Sequence, residues 1–252
     1  MSELAEKICV INSAGSDIGL ECAFSLARMG ATIFLVNKEN NELQKKIEQA
    51  QKENHKISLL TLENYNDKEV TKVFDQIKKQ AGPAGILVNS YFNYDEKQFQ
   101  ALSLEQWHKI LEENLTPYYL FSRAIIPHMK ELGEGVIINI SSILALRGIP
   151  GRAGYSAARG GVQSLTRALA VELAPLEIRV NNIIPGYIKT EQYKKFRLNK
   201  DPGYEKKLLR HIPMGRLGKP GEVSRVVSFL AGPESSYITG ASIPVDGGYC
   251  IA

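Results

Sequence analysis

Short runs of β-branched and aliphatic residues alternate along this chain with longer stretches in which apolar residues return every three or four positions. The runs at 8–11, 32–36, 57–62, 85–89, 135–140, 178–184 and 242–245 are almost continuously apolar. Such runs predict strands covered on both faces, as in a parallel sheet. The periodic stretches at 19–29, 39–53, 68–80, 103–131, 155–173 and 221–230 predict helices. Alternation of this kind predicts a doubly wound α/β fold with right-handed crossovers, built as a single domain over residues 1–252. One segment, 186–213, follows neither period. An irregular stretch of that length in a compact domain predicts a substrate lid, at about 187–213.

Composition narrows the function classes. A chain of 252 residues can bury a large core, and 44% hydrophobic with 23% charged residues is ordinary for a globular protein. The net charge of +4 is small and the basic residues are dispersed, which argues against a nucleic-acid partner. No stretch has the length of a membrane-spanning helix and the first residues lack an apolar signal core, so no membrane association is expected. Cys9, Cys22 and Cys250 form no Cys-x-x-Cys pair and cannot all pair with one another. The expectation is a reducing, cytoplasmic location. No spacing of histidines, cysteines and acids suggests a metal site.

An open α/β sheet binds ligands beyond the carboxyl ends of its strands, where strand order reverses. The first such turn is Asn12-Ser13-Ala14-Gly15-Ser16-Asp17-Ile18-Gly19, and it opens a helix. A helix N-terminus offers free N–H groups and a positive dipole end to a phosphate. Asp17 brings a carboxylate to that spot. It reads either as the N-cap of the helix or as a repulsive charge, worth about 1 kcal/mol at 4 Å in water and about 4 at an effective dielectric of 20. A carboxylate capping this helix would occupy the anion site itself. After the fourth strand come Tyr91 and Phe92, whose rings must rotate outward or fill the groove. Ser142 and Tyr155 lie thirteen residues apart, and Tyr155 and Arg159 share a helical face. The lid is rich in basic residues (Lys194, Lys195, Arg197, Lys200, Lys206, Lys207, Arg210). They read as a solvated face with Asp201 and Glu205, or as an attraction for an acidic substrate.

These motifs resemble the short-chain dehydrogenase/reductase family over almost the whole chain, nearest in pattern to β-ketoacyl carrier-protein reductases and polyol dehydrogenases. The resemblance implies a seven-stranded, Rossmann-like parallel sheet. The family's first turn reads Thr-Gly-x-x-x-Gly-x-Gly. Gly19 matches its last glycine, while Asn12, Ser13 and Asp17 replace the other conserved positions. Asn89-Ser90-Tyr91-Phe92 stands for Asn-Asn-Ala-Gly. Ser142, Tyr155, Asn114, the Pro185-Gly186 pair with Thr190, and Asp246-Gly247-Gly248 match outright. Arg159 stands in the lysine position.

The resemblance implies a catalytic set of Asn114, Ser142, Tyr155 and Arg159. Ser142 would polarise a carbonyl, Tyr155 would protonate it, Arg159 would tune Tyr155 and Asn114 would hold a water. The implied cofactor surface comprises Asn12, Ser13, Asp17, Ile18, Gly19, Asn37, Lys38, Glu63, Asn64, Asn89, Pro185, Gly186, Ile188 and Thr190. An acid at position 37 selects NAD in the family. Asn37 followed by Lys38 favours NADP, with NAD as the alternative. The implied activity is reduction of a ketone, or oxidation of a secondary alcohol, on a small molecule. The implied assembly is a homodimer or homotetramer. A cofactor-deficient scaffold, or a non-redox enzyme reusing Ser142 and Tyr155, is the alternative suggested by Asp17, the Tyr91-Phe92 pair and Arg159.

Overall fold

Each predicted apolar run becomes a strand: β1 (Ile8–Asn12), β2 (Thr32–Asn37), β3 (Ile57–Thr61), β4 (Ile86–Asn89), β5 (Gly135–Ile140), β6 (Ile178–Pro185) and β7 (Ser242–Val245). The computed structural model describes residues 3–12, 15–52, 55–93, 96–195 and 203–252. All seven strands pair in parallel in the order β3-β2-β1-β4-β5-β6-β7. Strand order therefore reverses between β1 and β4, and a ligand crevice is expected beyond their carboxyl ends.

Helices cover both faces. α1 (Asp17–Arg28), α2 (Asn41–Lys52) and α9 (Pro220–Ala231) bury their apolar stripes against one face, which carries Cys9, Ile11, Ile33 and Val88. α3 (Asp67–Ala81), α5 (Thr116–Leu132) and α6 (Ala153–Leu173) cover the other, which carries Val10, Phe34, Leu87 and Ile137. Successive strand residues point to opposite faces. A strand clad on both sides must then be apolar at every position, and that is the continuous run seen in the sequence.

Two predicted elements need correction. The single helix expected over 103–131 is two: α4 (Leu104–Asn114), with Ser103 and Gln106 forming a capping box, and α5. The chain breaks at Leu115 (φ −131°, ψ −48°), two residues before Pro117, which has no N–H to continue a helix and is tolerated only in the first turn of a new one. The segment 186–213 is also not wholly irregular. Among the described residues it holds a single turn, α7 (Glu191–Tyr193), and a short helix, α8 (Tyr204–Leu209). Arg197, Lys200 and Asp201 lie outside the described residues. No described helix is long and apolar enough to cross a membrane.

Close approaches set the site. A Cβ on Gly161 of α6 would lie 2.9 Å from Leu115 Cδ2, so the α4–α5 junction seats directly on α6. A Cβ on Gly186 would lie 2.7 Å from the Asp246 Cα, so the turn after β6 rests on the segment after β7.

Candidate functional site

A row of asparagines closes the carboxyl ends of the central strands. Asn12, Asn89, Asn139 and Asn182 are register partners across β1, β4, β5 and β6 and are fully buried. Asn12 Nδ2 donates to Asn89 Oδ1 (3.4 Å), Asn89 Nδ2 to Asn139 Oδ1 (2.9 Å), and Asn139 Nδ2 to Thr166 Oγ1 on α6 (2.9 Å). Asn89 and Asn139 are paired in this way, while Asn12 Oδ1 and Asn182 Oδ1 have no partner among the described residues. Asn12 and Asn89 thus sit beneath the crevice and not on its wall.

The first turn lies above this row. Ser16, not Asp17, is the N-cap of α1: its Oγ accepts the Gly19 N–H at 3.0 Å. Asp17 is the first helical residue, and its Oδ2 accepts the Glu191 N–H of α7 at 2.6 Å. The expectation that Asp17 caps its own helix is corrected. A residue at the first helical position faces outward from the ring of N–H groups, and the carboxylate finds a partner across the cleft. The N–H groups of Asp17 and Ile18 have no partner among the described residues. Gly15, at φ +69°, turns the chain beside the Asn37 and Asn40 amides. Ser13 lies outside the described residues.

A cavity of about 150 Å³ opens beside this turn. Ser142, Tyr155 and Arg159 line it together with Ile18, Pro185, Gly186, Ile188 and Thr190, so eight of the expected residues converge on one space. Ser142 follows β5 and Tyr155 stands in the first turn of α6. Ser142 Oγ accepts the Leu144 N–H at 3.2 Å, which leaves its own hydrogen to donate. The rest of the wall is largely apolar, with Phe92, Ile140, Ile143, Leu144, Ile149, Tyr187 and Tyr193, and carries the polar side chains of Ser90, Ser141 and Gln192. Phe92 has turned into the cavity. Tyr91 has turned the other way, edge-on to the Tyr65 ring at 4.4 Å. Phe92 was expected either to rotate outward or to fill the groove; the other apolar wall residues were not legible in the sequence, since nothing local distinguishes them from ordinary core or loop residues.

Arg159 is fully buried. Its Nη1 donates to the Tyr118 hydroxyl (2.7 Å), and its Nη2 to the Tyr91 carbonyl (3.1 Å) and Asn114 Oδ1 (3.3 Å). Its guanidinium carbon lies 4.9 Å from the centre of the Tyr155 ring. Burial works against its charge, but Tyr118 and Tyr155 outweigh that and hold its pKa above the ordinary arginine value. Asn114 Oδ1 also accepts the Asn93 N–H (2.9 Å), and its Nδ2 donates to the Ile110 carbonyl (3.1 Å). Tyr118, which sequence reasoning missed, is pushed up to about 12 by burial, against the lowering effect of Arg159.

Two further expected residues line a neighbouring cleft. Exposed Lys38 and Asn64 line it with Tyr65 and Tyr91. Asn37 is buried at the end of β2, and the N–H groups of Glu63 and Asn64 both donate to Glu69 Oε2 (2.7 and 3.0 Å). Among the described residues no group of three histidine, cysteine or acidic side chains is placed to hold a metal.

Comparison with known proteins places this geometry. A family model described as enoyl-(acyl carrier protein) reductase matches residues 13–250. A cyclopentanol dehydrogenase from Comamonas sp. is 34% identical over 249 residues, covering 99% of each chain. A 3-oxoacyl-(acyl-carrier-protein) reductase from Thermotoga maritima is 32% identical over 248 residues, covering 98% of this chain and 99% of its own. The crystal structure of a gluconate 5-dehydrogenase from Burkholderia cenocepacia, in complex with NADP and tartrate, superposes with a TM-score of 0.92. It is 28% identical, with 99% of this chain and 97% of that one covered.

Proposed function

This chain belongs to the short-chain dehydrogenase/reductase family, and from that premise we propose a reaction for the Ser142–Tyr155 cavity. The protein is an NAD(P)-dependent oxidoreductase that interconverts a ketone and a secondary alcohol. The observation that carries the assignment to this cavity is convergence: Ser142, Tyr155, the opening of α1 and the Pro185–Gly186 turn line one space beyond the switch point of the sheet.

The residues fit a dinucleotide. Two unpartnered N–H groups at the start of α1 suit a diphosphate. Asp17 is engaged with Glu191 and does not cover them. Ile18 and Gly19 sit at that helix opening, and Ile188 and Thr190 on the opposite wall. Lys38, with uncharged Asn37 before it and Glu63 and Asn64 beside it, supports NADP over NAD. When bound, the nicotinamide supplies or takes up the hydride. Ser142 donates its free hydrogen to the carbonyl oxygen and polarises it. Tyr155 gives its phenolic proton to the developing alkoxide. Arg159, permanently charged, favours the phenolate left behind. Among the described residues Arg159 is the only charged side chain in the cavity wall, and its Nη atoms are committed to protein groups. This supports a neutral, largely apolar substrate over an acidic one. Residues 187–213 act as the lid. Three free cysteines, two of them buried, support a reducing, cytoplasmic setting.

A thermal shift tests the reading. A ligand at one hundred times its Kd stabilises by about 2.7 kcal/mol. NADPH is expected to raise the melting temperature more than NADH at equal concentration. Absence of a shift with either at millimolar concentration removes the redox assignment.

A further inference from the structure

Arg159 is a buried cation without a buried counter-charge. Among the described residues no carboxylate pairs with it. Its hydrogen-bonded partners are the Tyr118 and Tyr155 phenols, an amide oxygen and a backbone carbonyl. Removing a guanidinium from water costs several kcal/mol, and hydrogen bonds and ring faces offset only part of that. A group kept at that expense for packing alone would be better replaced by a neutral side chain. The partners are arranged so as to hold the charge without cancelling it.

Tyr118 is the centre of that arrangement. Its hydroxyl has two carbonyl acceptors, Tyr91 O at 2.8 Å and Ile140 O at 2.6 Å. A hydroxyl has one proton, so that proton goes to a carbonyl and a lone pair is left facing Arg159 Nη1. The hydroxyl thereby ties together the loop that carries Phe92, the end of β5 that leads to Ser142, and the helix that carries Tyr155. The guanidinium also reaches Asn114 directly, which a shorter single-nitrogen side chain at position 159 would not do while also bonding Tyr118 and the Tyr91 carbonyl. Both of its Nη atoms point into the protein's own groups, so its charge acts on the Tyr155 ring and is withdrawn from a cofactor ribose. The titratable groups against it are Tyr118 from α5 and Tyr155 from its own helix.

We infer that Tyr118 is a positioning residue, that it holds the Arg159 guanidinium against Tyr155, and that the site is built around this Tyr118–Arg159 pair. The inference rests on the oxidoreductase reading of the same cavity.

The experiment compares Tyr118→Phe, Arg159→Lys and the double variant over a panel of cyclic ketones and secondary alcohols with NADP(H). Tyr118→Phe keeps the ring and removes only the hydroxyl. Its kcat is expected to fall tenfold or more while the KM for cofactor stays within threefold. The pH profile for alcohol oxidation should move at least half a unit to higher pH. Arg159→Lys should fall by a similar factor, and the double variant should be no worse than the weaker single variant, as for two parts of one device. In the cofactor-free protein, the Arg159 guanidinium N–H protons should exchange with solvent faster in Tyr118→Phe than in the wild type. Unchanged kcat, pH profile and exchange in Tyr118→Phe overturn the inference. So does an Arg159→Lys variant that matches or exceeds the wild type, a result that stands even if Tyr118→Phe fails to fold. Wild-type protein that turns over no substrate in the panel and binds neither cofactor removes the oxidoreductase reading instead, since it fails before any variant is compared.

Discussion

Asp17 stands where a negative charge is least welcome to a diphosphate, yet its carboxylate is engaged with the Glu191 N–H across the cleft. One side chain therefore has two opposed effects: it ties the start of α1 to α7 and it leaves a charge near the helix opening. Asparagine and alanine separate them. Asp17→Asn keeps an acceptor for Glu191 and removes the charge, so NADPH should bind about fivefold tighter, as expected from relief of about 1 kcal/mol. Asp17→Ala removes the anchor as well. Limited trypsin digestion should then cut after Lys194 or Lys195 faster than in wild type or Asp17→Asn. Equal digestion rates in all three proteins would show that the contact does not restrain the lid. That Asp17 lies at the turn was legible from the sequence. Its partner was not, because Glu191 is 174 residues away and contributes only its backbone N–H.

At the scale of elements, α5 illustrates how a helix is pinned by a titratable group. His128 is buried on α5, and its Nδ1 accepts the Ala84 N–H just before β4 (3.2 Å). That bond needs the neutral imidazole. Burial, assisted by Lys78, holds the folded-state pKa below the ordinary histidine value of about 6.5. The unfolded chain therefore binds more protons here than the folded one, and stability rises with pH across this window. The contribution is complete above about pH 6.5 and is lost as pH falls through the lowered folded-state value. The wild type should lose more melting temperature between pH 7 and 5.5 than His128→Gln does, with about 2–4 °C for each kcal/mol in a chain of this size. Parallel losses in the two proteins would refute it. The split of the predicted 103–131 helix belongs to the same scale. Apolar periodicity runs through Leu115 unbroken, and only Pro117 signalled the break.

The whole molecule leaves large apolar side chains in solvent. Val171 is 80% exposed, Phe99 69%, Leu104 70%, Tyr237 102% and Ile251 92%. Val171 lies on α6, Leu104 on α4, and Ile251 in the segment after β7. These exposed side chains are where a self-association surface would lie. Light scattering should give twice or four times the chain mass at micromolar concentration, and Val171→Glu should lower it. A monomer mass for the wild type would dismiss the assembly.

The order of apolar and polar residues was enough to specify seven strands, their burial on both faces and the parallel class, because a strand clad by helices has to be apolar at every position. Resemblance to the family marked Ser142, Tyr155 and Arg159, which share one stretch of chain. What remained hidden was every relation between distant segments: the strand order, the asparagine row under the crevice, the turn of Asp17 toward Glu191, and the Tyr118 hydroxyl that seats Arg159. Each of these depends on backbone groups and directions that exist only after the sheet has brought remote strand ends together. A buried arginine reads the same in sequence whether it is a relic or a working charge, and its surroundings are what distinguish the two.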